Sequence, residues 1–132
     1  DANINVDMIV QNTSTAGFTD ISFTMPSADL AVAEEIVERV AGEIGATGVT
    51  HDDSIGKVSL VGAGMKSAPG IAAKMFRTLA DENVNIEMIS TSTIRISVVM
   101  PSEDVERAAR ALHTAFDLDS ASDYAAPLPE RR

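Results

Sequence analysis

An internal repeat limits which folds the chain can adopt. Residues 1–9 align with residues 81–89 at an offset of 80, with five of nine positions identical and three more conservatively exchanged. Residues 21–30 align with residues 96–105 at an offset of 75, so the later copy has a loop five residues shorter. Two copies are too few, and each is too long, for a solenoid array. We therefore predict two related small domains.

In the first copy, the hydrophobic period changes along the chain. Apolar residues alternate over residues 4–10 and again over residues 21–25, which predicts two strands joined by a polar turn. Ser27 is a candidate cap for a following helix, whose apolar positions recur every three or four residues. We expect Gly42 and Gly45 to end this helix.

The second copy repeats this order with more elements, after a short strand predicted around Val49. Its hydrophobic pattern predicts the order β-α-β-β-α, a split βαβ arrangement in which two helices cover one face of an antiparallel sheet. The predicted elements are a strand at 57–61, a helix opened by Pro69 and Gly70, strands at 84–91 and 94–100, and a helix from 102 to about 116 with Val105, Ala108, Ala109, Leu112 and Phe116 inward.

The two ends of the sequence do not complete the repeat. The first copy should have a strand and a helix ahead of Asp1, so we expect a first domain that is truncated at its N-terminal side. The closing strand of the second copy would fall near residue 124, but residues 123–132 contain two prolines and few apolar side chains, which predicts a frayed tail. The predicted class is α+β, with ferredoxin-like βαββαβ domains and antiparallel sheets.

Composition and charge exclude several classes of function. The 132 residues are 45% apolar and 23% charged, which is typical of a folded domain, and the absence of cysteine excludes disulfides and thiolate metal sites. A net charge of −10 opposes nucleic acid as a partner. Residues 1–56 hold ten acids and one base, a balance of −9, and residues 57–132 hold ten acids and nine bases, a balance of −1. Without a leader-like segment or a membrane-spanning run, we expect a cytoplasmic chain with no membrane contact.

Three candidate chemistries fail on their spacing. Gly62 and Gly64 follow a strand, but the third glycine of a dinucleotide-binding loop would stand where the chain has Ser67. The His-Asp-Asp sequence at 51–53 points its side chains in opposite directions on an extended chain, which favours a solvated linker over a metal site. His113 has no nucleophile elbow or oxyanion hole beside it in the sequence. We predict no cofactor, no metal and no catalytic residue.

A set of polar residues at loops and strand ends is a candidate binding site. Residues 65–70 end at the start of a helix, whose free N–H groups suit a carboxylate, and residues 83–86 offer carbonyls and amides for an ammonium group. The polar residues at the far ends of the repeated strands are Gln11, Ser14, Thr91 and Ser92. We expect these groups to lie close together and hold an amino acid. Ordinary loop and strand-end polarity explains them equally well.

Several segments resemble one family specifically. The motifs MIVQN at 8–12, TDISF at 19–23, DDSIGKVSLVGAGMKS at 52–67 and VNIEMISTS at 84–92 are similar to the C-terminal regulatory region of bacterial aspartate kinases. In that family this region consists of two ACT domains and is also made alone as a β subunit. The resemblance implies a first ACT domain at 1–55, lacking its first strand and helix, a second at 56–118, and a tail at 119–132 that we expect to be flexible.

The same resemblance implies an allosteric module rather than an enzyme. Its ligands would be L-threonine, L-lysine or both, and its partners a kinase catalytic domain or α subunit and a second copy of itself. The effector contacts implied are Asn5, Val6 and Gln11 in the first domain, and Ile71, Ala72, Asn85, Ile86 and Ser92 in the second. The alternative is a catalytically competent aspartokinase, which the sequence opposes because it has no phosphate-binding loop and too few residues for a kinase fold.

Overall fold

The computed structural model describes residues 3–63, 65 and 68–119, and the chain divides into two units, Asp1–Asp53 and Ser54–Arg132. The division lies two residues ahead of the one predicted between residues 55 and 56. Each unit has its own sheet and is described by itself. In the described ranges, no helix is both long and apolar enough to cross a bilayer.

The first unit begins with a β-hairpin. Its strands, β1 (Ile9–Thr13) and β2 (Thr19–Phe23), pair antiparallel. The prediction that β1 starts at residue 4 is wrong. The backbone N–H of Met8 donates to the Thr24 hydroxyl at 3.1 Å, so a side chain takes the place of a ladder partner just ahead of the strand.

One helix, α1 (Leu30–Ile44), follows the hairpin after a 3-10 turn. The prediction that Ser27 caps α1 with its hydroxyl is wrong. Its backbone carbonyl accepts the N–H of Leu30 within the 3-10 turn instead. Gly45 ends α1 in the left-handed conformation (φ 72°), whereas Gly42 lies inside the helix. The strand predicted around Val49 is absent, since no described strand pairs with residues 48–50.

The second unit has the predicted order of elements. Its sheet is antiparallel with strand order β3-β5-β4, which makes β5 the central strand. The elements are β3 (Ile55–Val61), α2 (Ile71–Asp81), β4 (Met88–Thr91), β5 (Arg95–Pro101) and α3 (Val105–Ala115).

The core of the second unit lies between the sheet and its two helices. Alternate residues of β5 pack against helix residues spaced by three or four. This is the packing expected from the two-residue period of a strand and the period of about 3.6 residues of a helix. The buried cluster consists of Met75, Leu79, Val84, Ile96, Val98, Met100, Ala108 and Leu112. Ala109, which was predicted to point inward, is exposed, because its neighbour Ala108 occupies the buried side of α3.

The repeat is visible in the backbone as well as in the sequence. Pro26 and Pro101 have nearly the same conformation (φ −59° and −53°), and each precedes a 3-10 turn that leads into a helix. Asn3 and Asn83, which are 80 residues apart, both adopt the left-handed conformation (φ 53° and 54°). The backbone N–H groups of Asp7 and Glu87 bond the carbonyls of matched residues at 2.9 and 2.8 Å. Equivalent sequences therefore form equivalent local structure.

The two units differ in how well their apolar residues are covered. Ile96 is 6% exposed in the second unit, where α2 packs over it, but its counterpart Ile21 is 62% exposed. Ile9 lies diagonally across the hairpin on the same face and is 65% exposed. In the described residues, the first unit thus carries an uncovered apolar face. We call Ile9 and Ile21 the hairpin face.

Candidate functional site

The start of α2 is the first part of the candidate site. Gly70 precedes the helix with a φ of 89°, a conformation that favours glycine, and no side chain caps the helix there. Ile71 and Ala72 follow in the first turn, and both are half-buried against the core. The first turn of an uncapped helix presents backbone N–H groups and a partial positive charge, which suit an anionic group.

The turn between β4 and β5 lies at the same end of the sheet. The N–H of Ser92 donates to the carbonyl of Arg95 at 2.7 Å, and the Ser92 hydroxyl oxygen accepts the N–H of Ile94 at 3.3 Å. The carbonyl of Ile94 in turn accepts the N–H of Gly62 at 2.9 Å. Because Gly62 begins the loop that leads to α2, the backbone joins this loop directly to the turn that carries Ser92.

The start of β4 lies at the opposite end of the sheet, so the expected proximity is wrong within one unit. Strands β3 and β4 both run antiparallel to β5 and therefore point the same way. The 11 residues of α2, at about 1.5 Å each, put roughly 16 Å between its two ends. Asn85 is exposed at the far end, and Ile86 is half-buried against the core there.

The first unit repeats this arrangement with its own polar residues. Asn5 and Val6 precede β1, both exposed, and correspond to Asn85 and Ile86. The prediction that Gln11 lies at the far end of its strand is wrong, because β1 continues to Thr13 and Gln11 is its exposed central residue, opposite Ile21. The described part of this unit therefore contains the three residues that were predicted to contact an effector in the first domain.

The sequence did not predict two side-chain contacts near the candidate regions, one made by Thr24 and one by Met65. The Thr24 hydroxyl oxygen accepts the backbone N–H of Met8. The only sign of this in the sequence is that the residue matching Thr24 in the second copy is Val99, which is apolar. Met65, named only as part of the polar loop, is half-buried and packs on the core of the second unit. Spacing alone does not show that a loop methionine turns inward.

The two histidines have structural contacts. His51 pairs with Glu34 of α1 at 2.6 Å, and His113 pairs with Asp119 at 2.6 Å. The Thr114 hydroxyl also donates to Asp119 at 2.8 Å. These hydrogen bonds, that from Thr114 first and that from His113 next, lower the pKa of Asp119. Within the described ranges, no three acidic or histidine side chains form a group that could hold a metal ion.

This arrangement suits recognition better than bond-making. The groups of the candidate regions are helix N–H groups and a serine hydroxyl at one end of the sheet, and the amide of Asn85 at the other. The Ser92 hydroxyl accepts a hydrogen bond from its own turn, and the described contacts give it no histidine or carboxylate that would activate it. Neutral donors and acceptors of this kind can hold the carboxylate and ammonium groups of an amino acid.

Comparison with known proteins identifies relatives of the chain. Residues 58–116 match the ACT domain. The regulatory subunit of aspartate kinase from Thermus thermophilus, solved without ligand, is 43% identical, with a TM-score of 0.76 over 86% of this chain and 75% of that one. A crystal structure of aspartokinase alpha and beta subunits contains a chain that is 51% identical, with a TM-score of 0.80 over 88% of this chain and 76% of that one.

Curated relatives extend well past the matched region. The aspartokinase of Corynebacterium glutamicum is 52% identical over 130 residues, which are 95% of this chain and 31% of that protein. The aspartate kinase of Pseudomonas fluorescens is 53% identical over 119 residues, 90% of this chain and 29% of that protein. The chain thus spans less than a third of either relative. Together with the solved regulatory subunits, these matches confirm the predicted family and the α+β fold with ACT domains.

Proposed function

Since the chain belongs to the ACT-domain regulatory region of aspartate kinases, we propose that it binds threonine, lysine or both and transmits feedback inhibition to a cytoplasmic kinase portion. The observation that carries this proposal is the start of α2, which is opened by Gly70 in a left-handed conformation and lacks a side-chain cap. A ligand carboxylate is the natural partner of such a helix start. Ala72, in the first turn of α2, has a small side chain, which we expect to admit a ligand.

A complete site would need a second copy. Within one unit, the loop before α2 and the start of β4 lie at opposite ends of the sheet, so one unit offers only half of the contacts to each ligand. In the described part of the second unit, β4 is an edge strand, and edge strands readily pair with another chain. If β4 pairs antiparallel with the β4 of a second molecule, Asn85 of one copy lies at the end of the other copy's sheet that carries Ser92 and the start of α2. We therefore propose a homodimer with ligands at its interface.

Inhibition would follow from this geometry by a shift of populations. A ligand held by two copies binds only the arrangement in which both halves meet, and it stabilises that arrangement in proportion to its differential affinity. The kinase portion, in a neighbouring domain or an α subunit, would then respond to the arrangement of the dimer. The alternative of a catalytically competent aspartokinase has no supporting observation in the described residues, so we do not propose catalysis for this segment.

Thermal unfolding with added ligands tests the proposal. A ligand at a hundredfold excess over its Kd stabilises the folded state by about 2.7 kcal/mol. For a chain of this size, we expect the Tm to rise by roughly 5 °C or more with threonine or lysine. ATP with Mg²⁺ serves as the control and should leave the Tm unchanged. A shift with ATP and none with any amino acid would contradict the proposal.

A further inference from the structure

The helices of the second unit leave an open groove on their exposed sides. It lies between α2 and α3 and has a volume of about 570 Å³. Thr78 and Asp81 line it from α2, and Arg110, Ala111 and Ala115 line it from α3. None of the residues predicted to contact an effector lines this groove, so it is separate from the candidate site.

The two walls of the groove are antiparallel helices whose residues can be matched by level. Lys74, near the start of α2, lies 4.9 Å from the ring of Phe116, just after the end of α3. Both helices rise about 1.5 Å per residue. Asp81, seven residues after Lys74, is therefore level with Ala109, seven residues before Phe116. Since Arg110 is the next residue, Asp81 and Arg110 lie on opposite walls at nearly the same level.

Each wall carries one charge that is available to a partner. Asp81 on α2 is exposed and has no ion-pair partner among the described residues. Arg110 on α3 pairs with Glu106 of its own helix, and these two side chains are 80% and 78% exposed. An ion pair this exposed contributes little, so Arg110 can bind another carboxylate at small cost.

The other charges of the groove are balanced within one copy. Glu82 and Arg107 lie 3.9 Å apart across the groove, and Arg107 also pairs with Asp104 at 2.6 Å. Together with Asp81 and Arg110, they give the lining two acids and two bases. The groove is therefore close to neutral as a whole and does not repel a second copy of itself.

We propose that this groove is a self-complementary interface, in which α2 and α3 of one copy pack against α3 and α2 of a second copy. A half-turn about an axis along the groove exchanges the two walls and keeps the level of every residue. The Asp81 carboxylate of each copy then lies opposite the Arg110 guanidinium of the other. A two-fold contact forms this ion pair twice, because each copy presents the same surface.

The middle of the groove allows the two pairs of helices to approach each other. By the same count along the helices, Thr78 is level with the residue after Ala111. Both Thr78 and Ala111 are half-buried and have short side chains. Helix axes pack about 8–10 Å apart, at a distance set by the side chains between them. Small residues alone would fit many partners, so it is the pair of opposite charges that selects a second copy.

This contact differs from the pairing of sheet edges proposed above. It uses the helix side of the second unit and leaves the edge of β4 unchanged. In a chain that also pairs through β4, the groove would link one dimer to the next. The two proposals can therefore be tested separately.

The absence of cysteine gives a direct test, because a thiol can be introduced at one place at a time. Thr78→Cys and Ala111→Cys proteins, mixed in equal amounts with a short bis-maleimide cross-linker, should form a covalent dimer. We expect severalfold more dimer in the mixture than in either protein alone, because the axis brings Thr78 of one copy to Ala111 of the other. Val61→Cys, at an exposed position of β3, replaces Thr78→Cys in the control mixture and should give only background yield.

Charge reversal tests the ion pairs in the same cross-linking mixture. With Asp81→Arg in both proteins, or Arg110→Glu in both, like charges lie opposite each other, and we expect the yield of dimer to fall at least about tenfold. With Asp81→Arg in the Thr78→Cys protein and Arg110→Glu in the Ala111→Cys protein, both ion pairs are restored and the yield should return. Arg77→Glu, on α2 outside the groove, changes the net charge as much as Arg110→Glu does and should not restore it.

Three results would overturn the proposal, each in variants that circular dichroism shows to be folded. One is a yield no higher than that of the Val61→Cys control, which would leave the groove to the kinase portion or another protein. Another is an equal effect of Arg77→Glu and Arg110→Glu. The third is a yield that stays low when the two reversed charges are combined.

Discussion

Gly56 shows how closely β3 approaches α3. A Cβ at this position would clash with the Cγ2 of Val105, which is a stiff branched side chain on the helix. By contrast, Gly42 within α1 would meet nothing within 4 Å. A side chain is therefore excluded by its surroundings at Gly56 but has room at Gly42, although the sequence does not distinguish the two glycines.

We expect Gly56→Ala to destabilise the second unit, because the added methyl forces β3 and α3 apart. Overpacking of this kind costs about 1–3 kcal/mol. The control, Gly42→Ala, should be neutral or stabilise by about 0.5–1 kcal/mol, since alanine is the better helix former. Urea unfolding of both variants measures the difference. Equal midpoints would show that β3 and α3 are not in close contact.

Gly70 combines a backbone requirement with a role in the proposed site. We expect Gly70→Val to lower stability by roughly 1–2 kcal/mol, because a branched residue resists the left-handed conformation. It should also abolish the threonine-induced or lysine-induced shift in Tm, because its side chain fills the approach to the helix start. Differential scanning fluorimetry with and without each amino acid measures both effects.

Gly45 provides the matched control for Gly70. It too is left-handed and surrounded by open space, but it ends α1 of the first unit, at the C-terminal end of a helix. Gly45→Val should therefore lose stability and keep the response to ligand. If Gly70→Val still binds as the parent does, the loop before α2 is only a connector.

At the scale of elements, the turn between β4 and β5 joins two features of the candidate site. It carries Ser92, and through Ile94 it is bonded to the loop that leads into α2. The hairpin turn of the first unit also has a serine that accepts a backbone N–H of its own turn. The Ser14 hydroxyl oxygen accepts the N–H of Phe18 at 3.3 Å. A serine whose small side chain bonds within its own turn puts no large side chain at the adjacent strand end.

We expect Ser92→Phe to leave the fold intact and to weaken effector binding, because the ring occupies the space beside the turn. Ser92→Ala removes only the hydroxyl acceptor for Ile94, at a cost of about 0.5–1.5 kcal/mol in stability. Calorimetric titration with threonine and lysine should show a loss of affinity for the phenylalanine variant that exceeds the loss for alanine. Unchanged affinity in a folded Ser92→Phe protein would remove Ser92 from the site.

At the scale of the whole molecule, the described residues of the first unit cover their apolar side chains less well than those of the second unit do. The described residues of the first unit form a two-stranded sheet, and the hairpin face is uncovered. Apolar patches of this kind mark surfaces that associate.

We expect the chain to sediment as a dimer at about 20 μM, in the micromolar range where unpaired edges and exposed apolar surface associate. The double variant Ile9→Lys with Ile21→Lys should shift it toward monomer, because it puts charge on the hairpin face. Val32→Lys, which charges a valine of α1 that is also more than half exposed (54%), is the control and should stay dimeric. A monodisperse monomer in the parent chain would contradict this expectation.

The sequence by itself determined the repeat, the order of elements in the second unit and the inward residues of its helices apart from Ala109. These features are local or periodic: prolines 26 and 101 open the same turn, and the apolar spacing of α2 gives Met75 and Leu79 a common face. The sequence also placed Ser14, Thr91 and Ser92 at strand ends, whereas Gln11 lies within β1. Local chemistry is enough for conclusions of this kind.

Only the tertiary structure decided which of those residues lie together. The direction of β4 relative to β3 follows from their shared pairing with β5, and this puts Asn85 about one helix length from Gly70. The absence of a strand at Val49 has the same kind of cause, because a strand exists only where a neighbour supplies hydrogen-bond partners. Pairing is a property of two segments, and a pattern within one segment cannot specify it.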